Sequence, residues 1–201
     1  MKKDIAILGG KGASLVKMIK AGIPVPPFFV IPAGALDKKE ILAEFRKLKT
    51  KFVAVRSSAT AEDSSTASWA GQLESYLNVA EKNLIKSIEK CRMSLHSPRA
   101  IAYKKQIEKN ESARGGPAFG GKISVAVIIQ KMIQSEISGV CFTVNPVTGD
   151  KGEMIIEAGR GLGEKIVGGK ITPKTYVINK KNIDIGYRYR KSILSDGQIA
   201  K

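Results

Sequence analysis

The sequence predicts an α+β protein of two lobes, and three observations lead to that fold class. The first half of the 201-residue chain alternates short apolar runs with segments of helical periodicity, whereas the second half is dominated by strand patterns. A glycine-rich stretch at 111–122, ESARGGPAFGGK, separates the two patterns. Hydrophobic residues make up 43% of the chain, which is ordinary for a packed core. We therefore expect an N-terminal α+β lobe over 1–122 and a strand-rich lobe over 123–201, with a ligand cleft between them.

The first lobe is expected to begin with a strand, a glycine turn and a helix. Residues 5–10, IAILGG, have the pattern of a short buried strand, and the segment after them carries its apolar residues on one helical face. Four prolines occur within IPVPPFFVIP at 23–32, which indicates an edge strand or an extended segment, because proline cannot donate to a sheet. A second helix follows, with Asp37 as its N-cap.

Strands are predicted at 52–55 and 75–79, on either side of a stretch rich in hydroxyl side chains. The longest helical region spans 81–109, and Ser97-Pro98 interrupts it because proline is tolerated in the first turn of a new helix. The strands predicted for the rest of the chain lie at 123–133, 138–146, 153–158 and 175–180.

Composition narrows the class of partner and the compartment. A net charge of +16 raises nucleic acid as a partner, but the basic residues are dispersed and no nucleic-acid-binding aromatic motif accompanies them. We expect a solvated basic surface without sequence-specific nucleic-acid binding. Cys91 and Cys141 lack the spacing of a zinc site, which favours a reducing, cytoplasmic compartment. The N-terminal apolar run is too short for a signal peptide or a membrane span.

The turn GGKG at 9–12 is the first candidate anion site. Its glycines would let backbone N–H groups approach a phosphate at the start of a helix, and Lys11 would add a positive charge. The spacing is not that of a Walker A loop. An ordinary turn before a helix is the alternative.

The hydroxyl-rich stretch is the second candidate. Arg56 is expected at the end of an apolar strand, where its guanidinium could bind phosphate, and Ser57 and Ser58 begin a series of hydroxyl donors. Gly71 would allow close backbone approach. A serine-rich solvent loop is the alternative.

Four motifs in a fixed order resemble one known domain. They are GGKGASL, VRSSATAED...ASWAGQLESYLNV, VIIQKMI...SGVCFTVNPVTGD and IIEAGRGLGEKIVGGKITPKTYVI, and they cover most of residues 7–180. Together they resemble the ATP-grasp nucleotide-binding domain of the phosphoenolpyruvate synthase and pyruvate phosphate dikinase family. The resemblance implies ATP and Mg²⁺ as cofactors. It also implies transfer of a phosphoryl group from ATP to a histidine of a separate swivelling domain, in a pyruvate, water dikinase-like reaction.

The resemblance implies roles for individual residues. Lys11 and Arg56 match the cations that hold the ATP phosphates and assist transfer, and the hydroxyl-rich stretch resembles a lid over the polyphosphate. Gly71 and Ser75 match positions that line the phosphate and ribose. In the family, adenine binds to the backbone of the hinge strand between the two lobes. Gln130, Lys131, Met132 and Ile133 match the residues of that strand.

The chain departs from the family pattern at its C-terminus. The family's lobe closes with an acidic metal ligand and a Gln-x-Arg-Pro element, whereas this chain stops within LSDGQIAK at 194–201. We therefore expect an incomplete C-terminal lobe and no metal ligand in this chain. The chain alone is expected to bind nucleotide weakly or not at all and to catalyse poorly. His96 is expected to be structural, and neither Glu157 nor Glu164 is assigned to metal. The phosphohistidine and pyruvate-binding domains are expected elsewhere, in cis or in trans.

Two alternatives stay open. Rifampicin-type phosphotransferases and glucan dikinases share this domain, so the domain does not identify the phosphoryl acceptor. A non-catalytic truncated or split subunit is the other alternative. It would act through protein association or self-association, because an incomplete lobe leaves an unpaired strand edge.

Overall fold

A computed structural model describes residues 2–34, 37–59, 73–113 and 124–181, and the chain divides into two compact units, 1–132 and 133–201. No helix within these described ranges has the length and apolar character needed to cross a membrane. The helices and strands of the first unit are α1 (Lys2–Lys20), β1 (Phe28–Ile31), α2 (Lys38–Lys47), β2 (Val53–Ala59), β3 (Ser75–Val79), α3 (Glu81–Met93), α4 (Pro98–Ala113) and β4 (Val125–Lys131). Those of the second unit are β5 (Ile137–Phe142), β6 (Glu153–Arg160), α5 (Glu164–Val167) and β7 (Lys174–Asn179).

The first unit contains a four-stranded antiparallel sheet in the order β1-β4-β2-β3. Among the described residues, strand β1 pairs with β4 alone, which confirms the edge position predicted from its flanking prolines. Strand β4 lies between β1 and β2, and six of its seven residues are buried. The sequence placed this strand in the second lobe, with a boundary at 122/123. Its pairing with two strands of the first unit instead puts the division after Met132.

The two faces of this sheet are covered by different helices. Alternate residues of β2 and β4, such as Val55 and Ile129, form the main core with apolar residues of α2 and α3. Helix α1 packs against β2 and β4 and contacts the other face, where Ser58 lies. Strand β2 therefore presents its odd-numbered residues to the core and its even-numbered residues to the α1 side.

The strand predicted at 5–10 is wrong, because these residues belong to α1. Gly9 has φ 69° and ψ 173°, so it breaks α1 into two helical segments without turning the first into a strand. A Cβ at Gly9 would lie 2.3 Å from the Ser58 backbone oxygen, so only glycine allows this approach. Short apolar runs do not distinguish a strand from a buried helix, and here the helix prevails.

The predictions for the other helices are confirmed. The Asp37 carboxylate accepts hydrogen bonds from the amides of Lys39 and Glu40, as an N-cap should. Helix α3 ends at Met93, a 3₁₀ turn covers Ser94–His96, and Pro98 begins α4. Within the predicted linker at 111–122, residues 111–113 end α4 and the rest lie outside the described residues.

The second unit contains a three-stranded antiparallel sheet in the order β5-β6-β7. The pairing agrees with the strands predicted over this part of the chain. One sheet face holds a small cluster of Ala158, Tyr176 and Ile178, with Met154 and Ile156 packed beside it. Residues 182–201, the last part of the lobe that was predicted to be incomplete over 123–201, lie outside the described residues.

Candidate functional site

Arg56 lies in the middle of a strand, not at its end. The sequence suggested a strand over 52–55, but β2 continues to Ala59, and Ser57 and Ser58 within it are fully buried. Strand β2 has neighbours on both sides, so its polar residues continue the hydrogen-bonded ladder that the apolar residues begin.

The first two hydroxyls of the predicted phosphate loop have structural partners. Ser57 Oγ donates to the Glu74 carbonyl at 2.8 Å, and Ser58 Oγ accepts from the Gly12 amide at 3.1 Å. Both bonds satisfy buried groups, which would be costly to leave unpaired. The prediction that Ser57 donates to phosphate is therefore wrong, because its one O–H donor is used within the fold. Donation by Ser58 stays a prediction, because Ser58 acts as the acceptor in its bond with Gly12. The other hydroxyls of that stretch and Gly71 lie outside the described residues, so their roles stay predictions.

The glycine turn at 9–12 packs α1 onto β2. Gly9 ends the first segment of α1, so Gly12 lies in the first turn of the second segment, where backbone amides lack a partner within the helix. Ser58 provides that partner for Gly12. The Gly12 amide is therefore used within the fold and is not offered to an anion. Anion binding by the other amides of this turn stays a prediction.

Lys11 is partly buried and adjoins Gly12, so its backbone lies against the C-terminal half of β2. Arg56 and Ser58 are two residues apart in β2, so their side chains leave the same face of the sheet. The two predicted phosphate-binding cations thus belong to elements on one face of the sheet. Convergence of their side chains on a shared phosphate stays a prediction.

The side chain of Arg56 has a defined partner in the neighbouring strand. Arg56 lies opposite Ile128 of β4, and its Nη1 donates to Gln130 Oε1 at 3.3 Å. Gln130 Nε2 in turn donates to the Pro26 carbonyl at 3.3 Å. On its other side, Arg56 pairs with Ser75 of β3, which is exposed. Two predicted site residues, Gln130 and Ser75, therefore flank the strand position of Arg56.

Two backbone amides of the predicted adenine-binding segment at 130–133 already form hydrogen bonds within the fold. The Lys131 amide donates to the Pro27 carbonyl at 2.8 Å, and the Met132 amide donates to the Phe52 carbonyl at 3.1 Å. Ile133 follows them with a side chain that is 55% exposed. Adenine recognition by this segment stays a prediction, and it would have to use carbonyl groups or the amide of Ile133.

Cys91 belongs to the core on the opposite face from Arg56. Its thiol donates to the Val55 carbonyl at 3.6 Å, and burial is the main cause that raises the pKa of this thiol from 9.0 to about 12. The charge of Glu74 acts in the same direction and that of Lys11 acts against it. The thiol stays protonated at neutral pH, so Cys91 is a packing residue rather than a nucleophile.

The described residues contain no group of three or more His, Cys, Asp or Glu side chains that could hold a metal ion. We assign no step to a metal. His96 is exposed in the 3₁₀ turn between α3 and α4.

Sequence reasoning missed the side-chain roles of Ser58 and Gln130. Residues two apart in a strand point to the same face of a sheet, so the spacing of Arg56 and Ser58 could have indicated their shared face. The predicted strand ended at residue 55, however, and did not include either of them. The partner of Gln130 depends on the order of strands, which the sequence does not reveal.

The family model and the relatives that match this chain all point to one protein family. The family model described as pyruvate phosphate dikinase, AMP/ATP-binding domain, matches residues 36–195. A probable phosphoenolpyruvate synthase of Methanocaldococcus jannaschii is 38% identical over 91% of this chain and 19% of its own length. A probable phosphoenolpyruvate synthase of Archaeoglobus fulgidus is 37% identical over 100% of this chain and 33% of its own. The phosphoenolpyruvate synthase of Aeropyrum pernix is 36% identical over 92% of this chain and 28% of its own.

The chain thus spans between about a fifth and a third of the length of these curated relatives. The alignment with the Archaeoglobus relative extends over 258 positions, more than the 201 residues of this chain, so that relative carries additional residues within the shared region. The family model begins after Lys11, whereas the Archaeoglobus alignment includes it.

Proposed function

The chain belongs to the pyruvate phosphate dikinase AMP/ATP-binding domain family, and from that premise we propose that it is the ATP-binding module of a phosphoenolpyruvate synthase-like phosphotransferase. The observation that carries the proposal is the family match over 36–195, which includes Arg56 on β2 and Gln130 on β4. Relatives named phosphoenolpyruvate synthase support the same reaction class.

Arg56 is the residue that we propose to bind the ATP polyphosphate. A guanidinium presents five N–H donors in a planar fork, and charge-assisted bonds to phosphate contribute roughly 1.5 to 3 kcal/mol each. The bond to Gln130 uses one of these donors. Lys11 is proposed as a second cation on the same face of the sheet. The net charge of +16 would favour association with a polyanion at low ionic strength.

ATP, when bound, supplies the phosphoryl group. The residues of this chain would then hold and orient the polyphosphate, and their fixed positive charge would stabilise the charge that develops during transfer. We assign no proton transfer to the described residues.

Isothermal titration with ATP in the presence of Mg²⁺ tests this proposal. The 201-residue chain should give saturable heat at ATP concentrations up to the millimolar range, and Arg56→Ala should weaken it. Arg46→Ala is the matched control, because Arg46 pairs with Glu81 on an exposed surface. Absence of saturable heat both from the folded chain and from the chain supplied with the C-terminal segment of a relative would contradict the assignment.

We further propose that the acceptor is a histidine of a separate swivelling domain, and that a pyruvate-binding domain acts later. The test mixes the chain with the isolated phosphohistidine domain of a relative and ATP labelled with ³²P in its phosphoryl groups. Label should appear on the added domain in an acid-labile form and should decrease with Arg56→Ala. A chain that binds ATP yet labels no histidine would contradict this acceptor and leave the ATP-binding proposal standing.

A further inference from the structure

The amide of Gln130 is held between two partners of opposite polarity. Its Oε1 accepts from Arg56 Nη1 and its Nε2 donates to the Pro26 carbonyl, both at 3.3 Å. The residue is only 7% exposed in β4, one of the two inner strands of the sheet. The reversed amide would direct its NH₂ group at the guanidinium and its oxygen at a carbonyl, so the two partners fix its orientation.

The strand register explains how Arg56 reaches this amide. Gln130 lies opposite Ala54, and Arg56 lies two residues further along the same face of β2. Diagonal neighbours of this kind are within reach of long side chains. Ala54 has only a methyl group, so it leaves room for the Arg56 side chain to lie back toward Gln130.

We propose that Gln130 is a positioning residue that fixes the guanidinium of Arg56 for the polyphosphate, and that its side chain does not recognise adenine. This inference rests on the proposed function. A neutral amide suits the role because it orders the guanidinium and leaves its positive charge available to phosphate. A carboxylate at the same place would pair with the guanidinium and compete with the ligand.

A double-mutant cycle separates positioning from direct contact. Gln130→Met keeps the approximate volume and removes both hydrogen bonds, and we expect it to lower the affinity for ATP by about fivefold. In an Arg56→Ala background the same substitution should change the affinity for ATP by less than about twofold, because its effect passes through Arg56. Gln106→Met, on the exposed surface of α4, is the matched control and should change nothing.

Comparing ligands with and without phosphate groups separates positioning of Arg56 from a merely structural role, because loss of a structural role would not lower the affinity for phosphate-containing ligands selectively. Gln130→Met should lower the affinities for ATP and inorganic tripolyphosphate and leave that for adenosine unchanged. Gln130→Glu keeps the size and the acceptor, and should lower the affinity for ATP by about tenfold through its charge pair with Arg56. If circular dichroism shows that Gln130→Met does not fold, Gln130→Glu is the variant that tests the inference.

The results of these titrations distinguish failure of the inference about Gln130 from failure of the proposed function. Equal losses for ATP and adenosine would overturn the inference, because Gln130 would then contact the base or act on stability. An undiminished loss in the Arg56→Ala background would overturn it as well. Failure to bind ATP by both the folded wild-type chain and the chain supplied with the C-terminal segment of a relative would instead contradict the proposed function itself.

Discussion

The four-stranded sheet of the first unit has two faces with different chemistry, and β2 contributes to both. On the face covered by α2 and α3, Val53 and Val55 are fully buried among apolar neighbours. On the face toward α1, Arg56 and Ser58 alternate with them and make polar contacts to Gln130 and Gly12. One strand of seven residues thus provides much of the core and also holds the candidate phosphate-binding residue.

This difference indicates how the domain can combine a rigid scaffold with a charged site. Arg56 is placed by a backbone that the opposite face anchors, so its position depends on packing that never touches the ligand. Substitutions on the core face should therefore change stability, and substitution of Arg56 on the α1 face should change nucleotide affinity.

The largest expected effect is on the core face. Ile129→Ala removes a fully buried side chain from the inner strand β4 and should lower the free energy of unfolding by about 3 kcal/mol. Affinity for ATP, measured on the fraction that remains folded, should stay within about twofold. Urea denaturation followed by circular dichroism measures the first quantity. A weakened affinity with unchanged stability would contradict the division between the faces.

Arg56→Ala tests the opposite face. It should lower the affinity for ATP by about 10- to 100-fold, because it removes charge-assisted hydrogen bonds worth roughly 1.5 to 3 kcal/mol. The free energy of unfolding should fall by only about 1 kcal/mol, the usual scale of one lost hydrogen bond. Calorimetric titration and thermal melting measure the two quantities. A large loss of stability with unchanged affinity would make Arg56 a structural residue.

The buried thiol of Cys91 makes the stability of the core face depend on pH. Burial raises the pKa of this core thiol from 9.0 in the unfolded chain to about 12 in the fold. The thiol is protonated in both states below pH 9, so its contribution to stability is fully present there and is lost as pH rises toward 12. The slope should be about 1.4 kcal/mol per pH unit between these values, and Cys91→Ala should remove it.

Thiol labelling at neutral pH provides a check on the same residue. A thiol reagent should react with Cys141, which is exposed, and should reach Cys91 only in denaturant. Rapid native labelling of Cys91 would contradict its place in the core.

The smallest expected effect is at the helix that covers the core. Asp37→Ala removes the carboxylate that caps α2 and should lower the free energy of unfolding by about 1 kcal/mol, whereas Asp37→Asn should retain most of the stability. Neither change should alter ATP affinity. A change in affinity for ATP would mean that the core face and the α1 face of the sheet do not act independently on stability and affinity.

The sequence predicted most helices and strands because their signals are local. The Asp37 cap, the proline that begins α4 and the proline-flanked edge strand are each encoded within a few residues. The first segment of α1 was mistaken for a strand, since a short apolar run ending in glycine fits both structures. Its helical state accompanies packing on β2, where Ser58 contacts the glycine turn.

The candidate site was less predictable than the fold, because its contacts join distant parts of the chain. Ser58 and Gly12 are separated by 46 positions, and Arg56 and Gln130 by 74. Motif resemblance could indicate Arg56 as a phosphate-binding residue. Only the strand register places Gln130 beside it and assigns the serines after it to structural bonds.

The central claim, that Arg56 contacts the polyphosphate, can be observed directly by nuclear magnetic resonance of arginine side chains. The Nε–Hε resonance of Arg56, assigned with Arg56→Lys, should shift saturably on titration with ATP and should stay in place with adenosine. The resonance of Arg46, which pairs with Glu81, should not move with either ligand. ATP binding that shifts other resonances and leaves Arg56 unchanged would contradict the claim.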